Sequence, residues 1–210
     1  MPTIHQAKNW YPQNDPVHGF DHIQRVYRLA ERLAQAEGAD LEIVRASALL
    51  HDAEGPLTGD SRSDHQYASA EFAREILTAE GWSEERIDAV LHCIRAHRFR
   101  DDREQPETIE AKVLFDADKL DAIGAIGAVR AIAYAVLDAQ NLFELPSERF
   151  IRTGVREAGE PHTPYHEHLF KLSKLKSRMF TQTGKAFANE RHDYLERFFA
   201  RLHAELAAEL

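Results

Sequence analysis

HGFDHIQRVYRLAERLAQAEG, residues 18–38, is the stretch that decides the fold. Ile23, Val26, Tyr27, Leu29, Ala30 and Leu33 recur at three- and four-residue steps, so they share one broad face of a helix while charged residues take the other. Gly38 ends that helix, as a C-terminal glycine commonly does. The same period continues outward. A second helix, capped by Asp40, is predicted to run to Leu50. A polar loop, Ala53 to Ser63, separates it from a third over Asp64 to Glu80, with Ala68, Phe72, Ile76 and Leu77 inward. Ser83-Glu-Glu-Arg starts a fourth, which reaches about His97. The next starts near Pro106, crosses Val113, Leu114, Phe115, Leu120, Ile123 and Ile126, breaks or continues at Gly124 and Gly127, and reaches Leu137.

Residues 139–164 lack periodicity and hold Pro146, Gly154, Gly159, Pro161 and Pro164, so a long loop or lid is expected there. The helical pattern returns from Tyr165, in two stretches separated around Gly184. No segment alternates with the period of a strand, and there is no internal repeat. The reading is all-α, an irregular helical bundle.

Composition narrows the classes. The chain has 210 residues, 43% of them hydrophobic, which suits a single domain over 1–210 with a real core. Its formal net charge of -9 argues against non-specific binding of long nucleic acid, where basic patches supply the affinity. No apolar run approaches the ~20 residues that span a bilayer, and the N-terminus lacks an apolar signal core, so a cytoplasmic protein with no membrane partner is expected. Cys93, the single cysteine, sits within Ile87, Val90, Leu91 and Ile94 and reads as a small core residue.

Chemistry enters at His51-Asp52, which stops the apolar run Ala48-Leu49-Leu50. A carboxylate at the end of a buried segment needs a partner, because burying it alone is costly. A metal ion is one such partner. His18 and His22, four apart, can share a helix face, and Asp118 and Asp121, three apart, face one way. Imidazoles with carboxylates make a mixed nitrogen and oxygen shell, suited to manganese, iron, cobalt, nickel or zinc rather than to a thiolate-preferring ion.

Four segments in order, Asp21-His22-Ile-Gln-Arg25-Val26, His51-Asp52, Ala117-Asp118-Lys119-Leu120 and a tail with Met179-Phe-Thr-Gln-Thr-Gly-Lys-Ala and Arg191-His192, resemble the HD superfamily of metal-dependent phosphohydrolases. The resemblance covers at least His18 to Ile126 and is nearest to stand-alone bacterial HD proteins. It implies an all-helical HD-type bundle with a metal-binding core over about 18–126, and metal ligands His22, His51, Asp52 and Asp118. It also implies hydrolysis of phosphate esters or anhydrides, with manganese-favoured pyrophosphohydrolysis of nucleoside triphosphates as one activity of the branch.

A bound ion would acidify a water and polarise phosphorus. Asp52 is then catalytic as a ligand, and Glu54 or Asp121 is the expected proton acceptor. Arg25, Lys119, His65 and His97, with His18 as an ambiguous addition, are the expected substrate contacts. Glu54 stands two after Asp52, where some branches carry a basic residue, which weakens transfer of a specific nucleotidase activity. The expected substrate is a small phosphorylated metabolite, a nucleotide first. The cofactor is a divalent ion, manganese first, with magnesium, iron, cobalt, nickel or zinc as alternatives.

Two other readings stand beside this one. A non-catalytic metal- or nucleotide-binding protein would use the same pocket for sensing, and a two-metal cyclic-nucleotide phosphodiesterase would need His92 or His97 near the first ion. Asp116 is expected on the opposite side from Asp118, in solvent, and His162, His166 and His168 as scattered histidines. Phe198-Phe199, Leu195, Leu202 and Leu206 read as core or interface residues, the latter compatible with a homodimer. Lys171 to Arg178 reads as a solvated basic face able to meet outer phosphates.

Overall fold

A computed structural model describes residues 1–11, 19–53, 65–98 and 103–209. His18 and Glu54 lie outside these described residues. All regular structure among them is helical, as the periodicity requires, and no single helix there is long and apolar enough to cross a bilayer. Two compact units are present: Met1–Lys119 with Phe180–Gly184, and Leu120–Met179 with Lys185–Leu210.

The first unit carries α1 (Ile4–Ala7), α2 (Phe20–Glu37), α3 (Leu41–Leu50), α4 (His65–Ala79), α5 (Glu84–Ala96) and most of α6 (Ile109–Leu120). A short 3-10 turn, Lys8–Trp10, follows α1. Helix α2 packs on α3, α3 on α5, and α5 on α4. Ile23, Val26, Ala30 and Leu33 of α2 are fully buried, with Leu50 of α3 and Ile87, Val90 and Ile94 of α5. Gly38 ends α2 in the left-handed conformation, φ 73°, which a side chain would disfavour. Two residues on, Asp40 caps α3, accepting from Glu42 N at 2.8 Å and Ile43 N at 3.2 Å. This tight corner turns α3 back along α2 and brings the end of α3 toward the start of α2.

Asp116 corrects one expectation. It does point away from Asp118, but it is fully buried instead of solvated. Its carboxylate accepts from Phe180 N at 2.9 Å, Thr181 N at 2.8 Å and Thr181 Oγ1 at 2.6 Å. Thr181 Oγ1 in turn accepts from Gly184 N at 2.9 Å, capping α10 (Gln182–Leu206). A Cβ on Gly184 would overlap Asp116 Oδ2 and Thr181 Oγ1, so the Thr-Gln-Thr-Gly motif is a backbone docking site for Asp116.

The second unit holds α7 (Gly124–Leu137), α8 (Glu148–Thr153), α9 (Pro164–Phe170), a 3-10 segment (Leu172–Arg178) and the body of α10. The chain breaks between α6 and α7 at residues 121–123 rather than running through. Residues 139–164, expected as a loop, contain α8, started by Ser147, whose hydroxyl accepts from Phe150 N at 3.1 Å. Six residues are too few to show a period, which is why the pattern hid it. Thr163 and Pro164 then start α9.

Candidate metal centre

His22 lies in the first turn of α2, buried, while His51 directly follows α3 and is fully buried. Asp52 turns with it, as the end of a helix allows. His22, His51 and Asp52 each offer a ligand atom within 4.8 Å of the others. Asp118, on α6, brings Oδ1 to 3.5 Å from His22 Nε2. Beside it, Lys119 Nζ bonds Asp118 Oδ2 and lies over the Phe115 ring at 5.3 Å.

A second triad shares Asp52. Its Oδ1 is 3.4 Å from His65 Nε2 and 3.5 Å from His97 Nε2, and these three also meet the 4.8 Å condition. His65 opens α4 and His97 ends α5, so these two helix ends and the Asp52 corner converge.

The tautomers follow from the main chain. His51 Nδ1 lies 3.0 Å from Ala48 O, and His97 Nδ1 lies 2.6 Å from Ile94 O. A carbonyl only accepts, so each Nδ1 carries a proton, and in the neutral ring Nε2 presents a lone pair. Both lone pairs face the Asp52 carboxylate. His51 Nε2 and Asp52 Oδ1 are buried and lack a hydrogen-bond partner among the described residues. Lone pair against lone pair repels, and a buried unpaired acceptor costs on the order of 1–3 kcal/mol. A divalent cation would satisfy His51 Nε2 and the Asp52 carboxylate together, so the residues fit a metal ion by their own chemistry.

Positive charge at this point favours the ionised carboxylates. Burial opposes ionisation of Asp52, but His51, His65 and His97, when protonated, outweigh it and hold the carboxyl well below its ordinary range. Burial likewise opposes ionisation of Asp118, and Lys119, His22, His51 and His97 hold it low. Burial pushes His97 down, against the pull of Asp52, which favours the neutral ring that a ligand needs.

The remaining expected site residues separate. Arg25 pairs with Asp21 one turn back at 2.6 Å. Asp121 belongs to the second unit, where its carboxylate meets Arg130 Nη1 at 2.8 Å. His92 is bound by Glu104 at 2.7 Å and Glu107 N at 3.1 Å, whereas His97 is the histidine that reaches Asp52. His162, His166 and His168 each meet a different carboxylate, Glu167, Glu160 and Glu196. Tyr11 was not singled out from sequence. Its buried hydroxyl donates to Leu49 O at 2.8 Å, bracing the end of α3 just before His51. Nothing periodic marks it, since it follows a single 3-10 turn.

The model of the HD domain family matches residues 19–123. The chain belongs to the HD domain family. It is 32% identical over 192 residues to YpgQ of Bacillus subtilis, covering 90% of this chain and 84% of YpgQ. The crystal structure of YpgQ in complex with ADP matches with a TM-score of 0.73 at 30% identity, covering 97% of each chain. A Lactobacillus plantarum protein of known structure matches at TM-score 0.75 and 30% identity, over 98% of this chain and 95% of that one. An HD-superfamily hydrolase from Bacillus thuringiensis matches at 0.72 and 29%, over 98% of this chain and 95% of its own.

Proposed function

We propose that this HD-family chain is a metal-dependent phosphohydrolase of small phosphorylated metabolites, nucleotides first. The observation that carries it is the pair of unpaired buried acceptors, His51 Nε2 and Asp52 Oδ1, gathered with His22, while Asp118 lies 3.5 Å from His22. A closed polar network would pair these atoms with each other, so their lack of partners supports a metal site. His22, His51, Asp52 and Asp118 hold the ion, manganese in the first instance.

The bound ion supplies Lewis acidity and a water acid enough to give hydroxide near neutral pH. The chain's own groups do the rest. Nδ1 donation from His51 to Ala48 O fixes the ring with Nε2 inward. Lys119 brings a positive charge beside Asp118, suited to a phosphoryl oxygen. His65, with its side chain 20% exposed, is the described group at Asp52 with access to water and is our choice for proton exchange. Nucleotide preference is supported by the YpgQ structure, which holds ADP.

A second reading has its own support. Asp52 is common to both triads, so it could serve two ions, the second of which His65 and His97 would hold, in keeping with a two-metal phosphodiesterase. Metal content per chain decides between the readings. One bound manganese with release of phosphate or pyrophosphate from nucleoside triphosphates supports the first. Two ions, one of them lost in His97→Ala together with cyclic-nucleotide turnover, support the second. No turnover on any phosphorylated metabolite in a metal-varied panel overturns both.

A further inference from the structure

Between the 3-10 segment and α10 of the second unit lies an open depression of about 390 Å³. Ser173, Lys176 and Ser177 line it from one side, and Lys185, Asn189 and His192 from the other. The three α10 residues are spaced by four and three, so one helix face presents them all. None of the six is acidic, which stands out in a chain of net charge -9.

The donors are largely uncommitted. Lys185 and Asn189 make no ion pair or side-chain hydrogen bond with the described residues, and both are exposed. Lys176 Nζ approaches only Asp193, at 3.9 Å, and that carboxylate is well exposed. His192 Nε2 faces Glu196 Oε1 at 3.7 Å, and its Nδ1 is buried with no hydrogen-bond partner among the described residues. The serine hydroxyls donate to their own segment, Ser173 to Leu169 O and Ser177 to Lys174 O, leaving the ammonium, amide and imidazole groups to meet a ligand. Two flexible lysines with an amide donor are suited to a compact, highly charged oxyanion. The size is at the low end of small-molecule sites.

We propose that this depression binds a diphosphate group, through Lys176, Lys185, Asn189 and His192, and shares no residue with the metal centre. It therefore works whether or not the phosphohydrolase reading holds. The test uses the full chain carrying His51→Ala, stripped with a chelator, so that the metal centre cannot contribute. Pyrophosphate is titrated at constant ionic strength and followed by calorimetry. Saturable one-to-one binding is expected, weakened at least about tenfold by Lys176→Ala with Lys185→Ala. Lys185→Gln alone, an exposed change that leaves the fold intact, is expected to weaken it in the same direction. ADP serves as a second probe. Equal dependence on the lysines shows that a nucleotide tail is accepted, while binding of pyrophosphate alone restricts the site to the free anion, and either supports it. Absence of saturable binding up to ~10 mM, or binding unchanged in the double variant, overturns the proposal.

Discussion

Asp52 and Glu160 both set a carboxylate against histidine, yet they are opposites. Glu160 accepts from Ser147 N at 2.7 Å, Ser147 Oγ at 2.9 Å, Glu157 N at 2.6 Å and His166 Nε2 at 3.0 Å. His166 Nδ1 is met by Thr163 Oγ1 at 2.7 Å. Every strong acceptor there has a donor, so the cluster is complete as protein and pins residues 147–166 together. Around Asp52 the imidazoles turn lone pairs inward and the donors are spent on Ala48 O and Ile94 O. That arrangement is complete only with a cation. Histidine beside carboxylate is thus no sign of a metal centre by itself; the direction in which each nitrogen spends its proton is.

The largest expected effect tests this contrast directly. Asp52→Ala should abolish metal binding and lower turnover on the order of a thousandfold or more, since all of the proposed chemistry depends on the ion. Metal analysis and steady-state kinetics check it. Glu160→Gln should leave both unchanged and lower the thermal midpoint instead. Unchanged turnover in Asp52→Ala sinks the mechanism. Wild-type protein should also gain about 2.7 kcal/mol of stability with manganese at a hundredfold excess over its dissociation constant, and Asp52→Ala should gain none.

Gly184→Ala is next. The new methyl meets Asp116 Oδ2 and Thr181 Oγ1, and both belong to one hydrogen-bonded latch. A loss of about 1–3 kcal/mol is expected, the range for overpacking, read by denaturant unfolding. A stability equal to wild type would mean that the Asp116 latch yields without cost.

Acid titration separates the two clusters further. Burial opposes ionisation of Glu160, but the Ser147 and Glu157 amides, His166 and the Ser147 hydroxyl hold its pKa at about 2, against 4.5 unperturbed. Its pKa is depressed on folding, so its contribution is present above pH 4.5 and is lost as pH falls from 4.5 toward about 2. Burial also pushes His166 below its ordinary value of 6.5, so the unfolded chain takes up its proton first and acid again disfavours the fold. Glu160→Gln should flatten the stability profile of the metal-free protein between pH 4.5 and 2, followed by circular dichroism. A profile as steep as wild type would remove Glu160 from the acid response.

Much of this was legible beforehand, and the misses are physical. The helices of the first unit follow the spacing of Ile23, Val26, Ala30 and Leu33 and its downstream echoes. His22, His51, Asp52 and Asp118 are readable because their order along the chain is itself informative; the structure gathers the first three and sets Asp118 3.5 Å from His22. His65 and His97 were picked out as substrate contacts, whereas the geometry sets both against Asp52. His97, like His51, ends a helix with Nδ1 on the carbonyl three residues back. Asp116 was read correctly as facing away from Asp118. Sequence alone could not say that Phe180 and Thr181, 64 and 65 residues on, wait there instead of solvent. Asp121 and its partner Arg130 lie nine residues apart across the interruption between α6 and α7, where helical spacing carries no information.

Arg25→Ala should have the smallest effect and sharpens the contrast from the exposed side. Arg25 pairs with Asp21 at 2.6 Å on an exposed helical turn, an arrangement worth about 0.3–0.5 kcal/mol. Its removal should barely move the thermal midpoint. If the guanidinium leaves Asp21 to meet a phosphate, KM should rise by a few-fold, up to about tenfold, with kcat unchanged, the signature of binding made equally in ground and transition states. An unchanged KM assigns Arg25 to the Asp21 pair alone. A fall in kcat would place it at the reacting phosphorus, one turn of α2 from His22. In that case the site extends along α2 beyond the residues whose unpaired atoms reveal it.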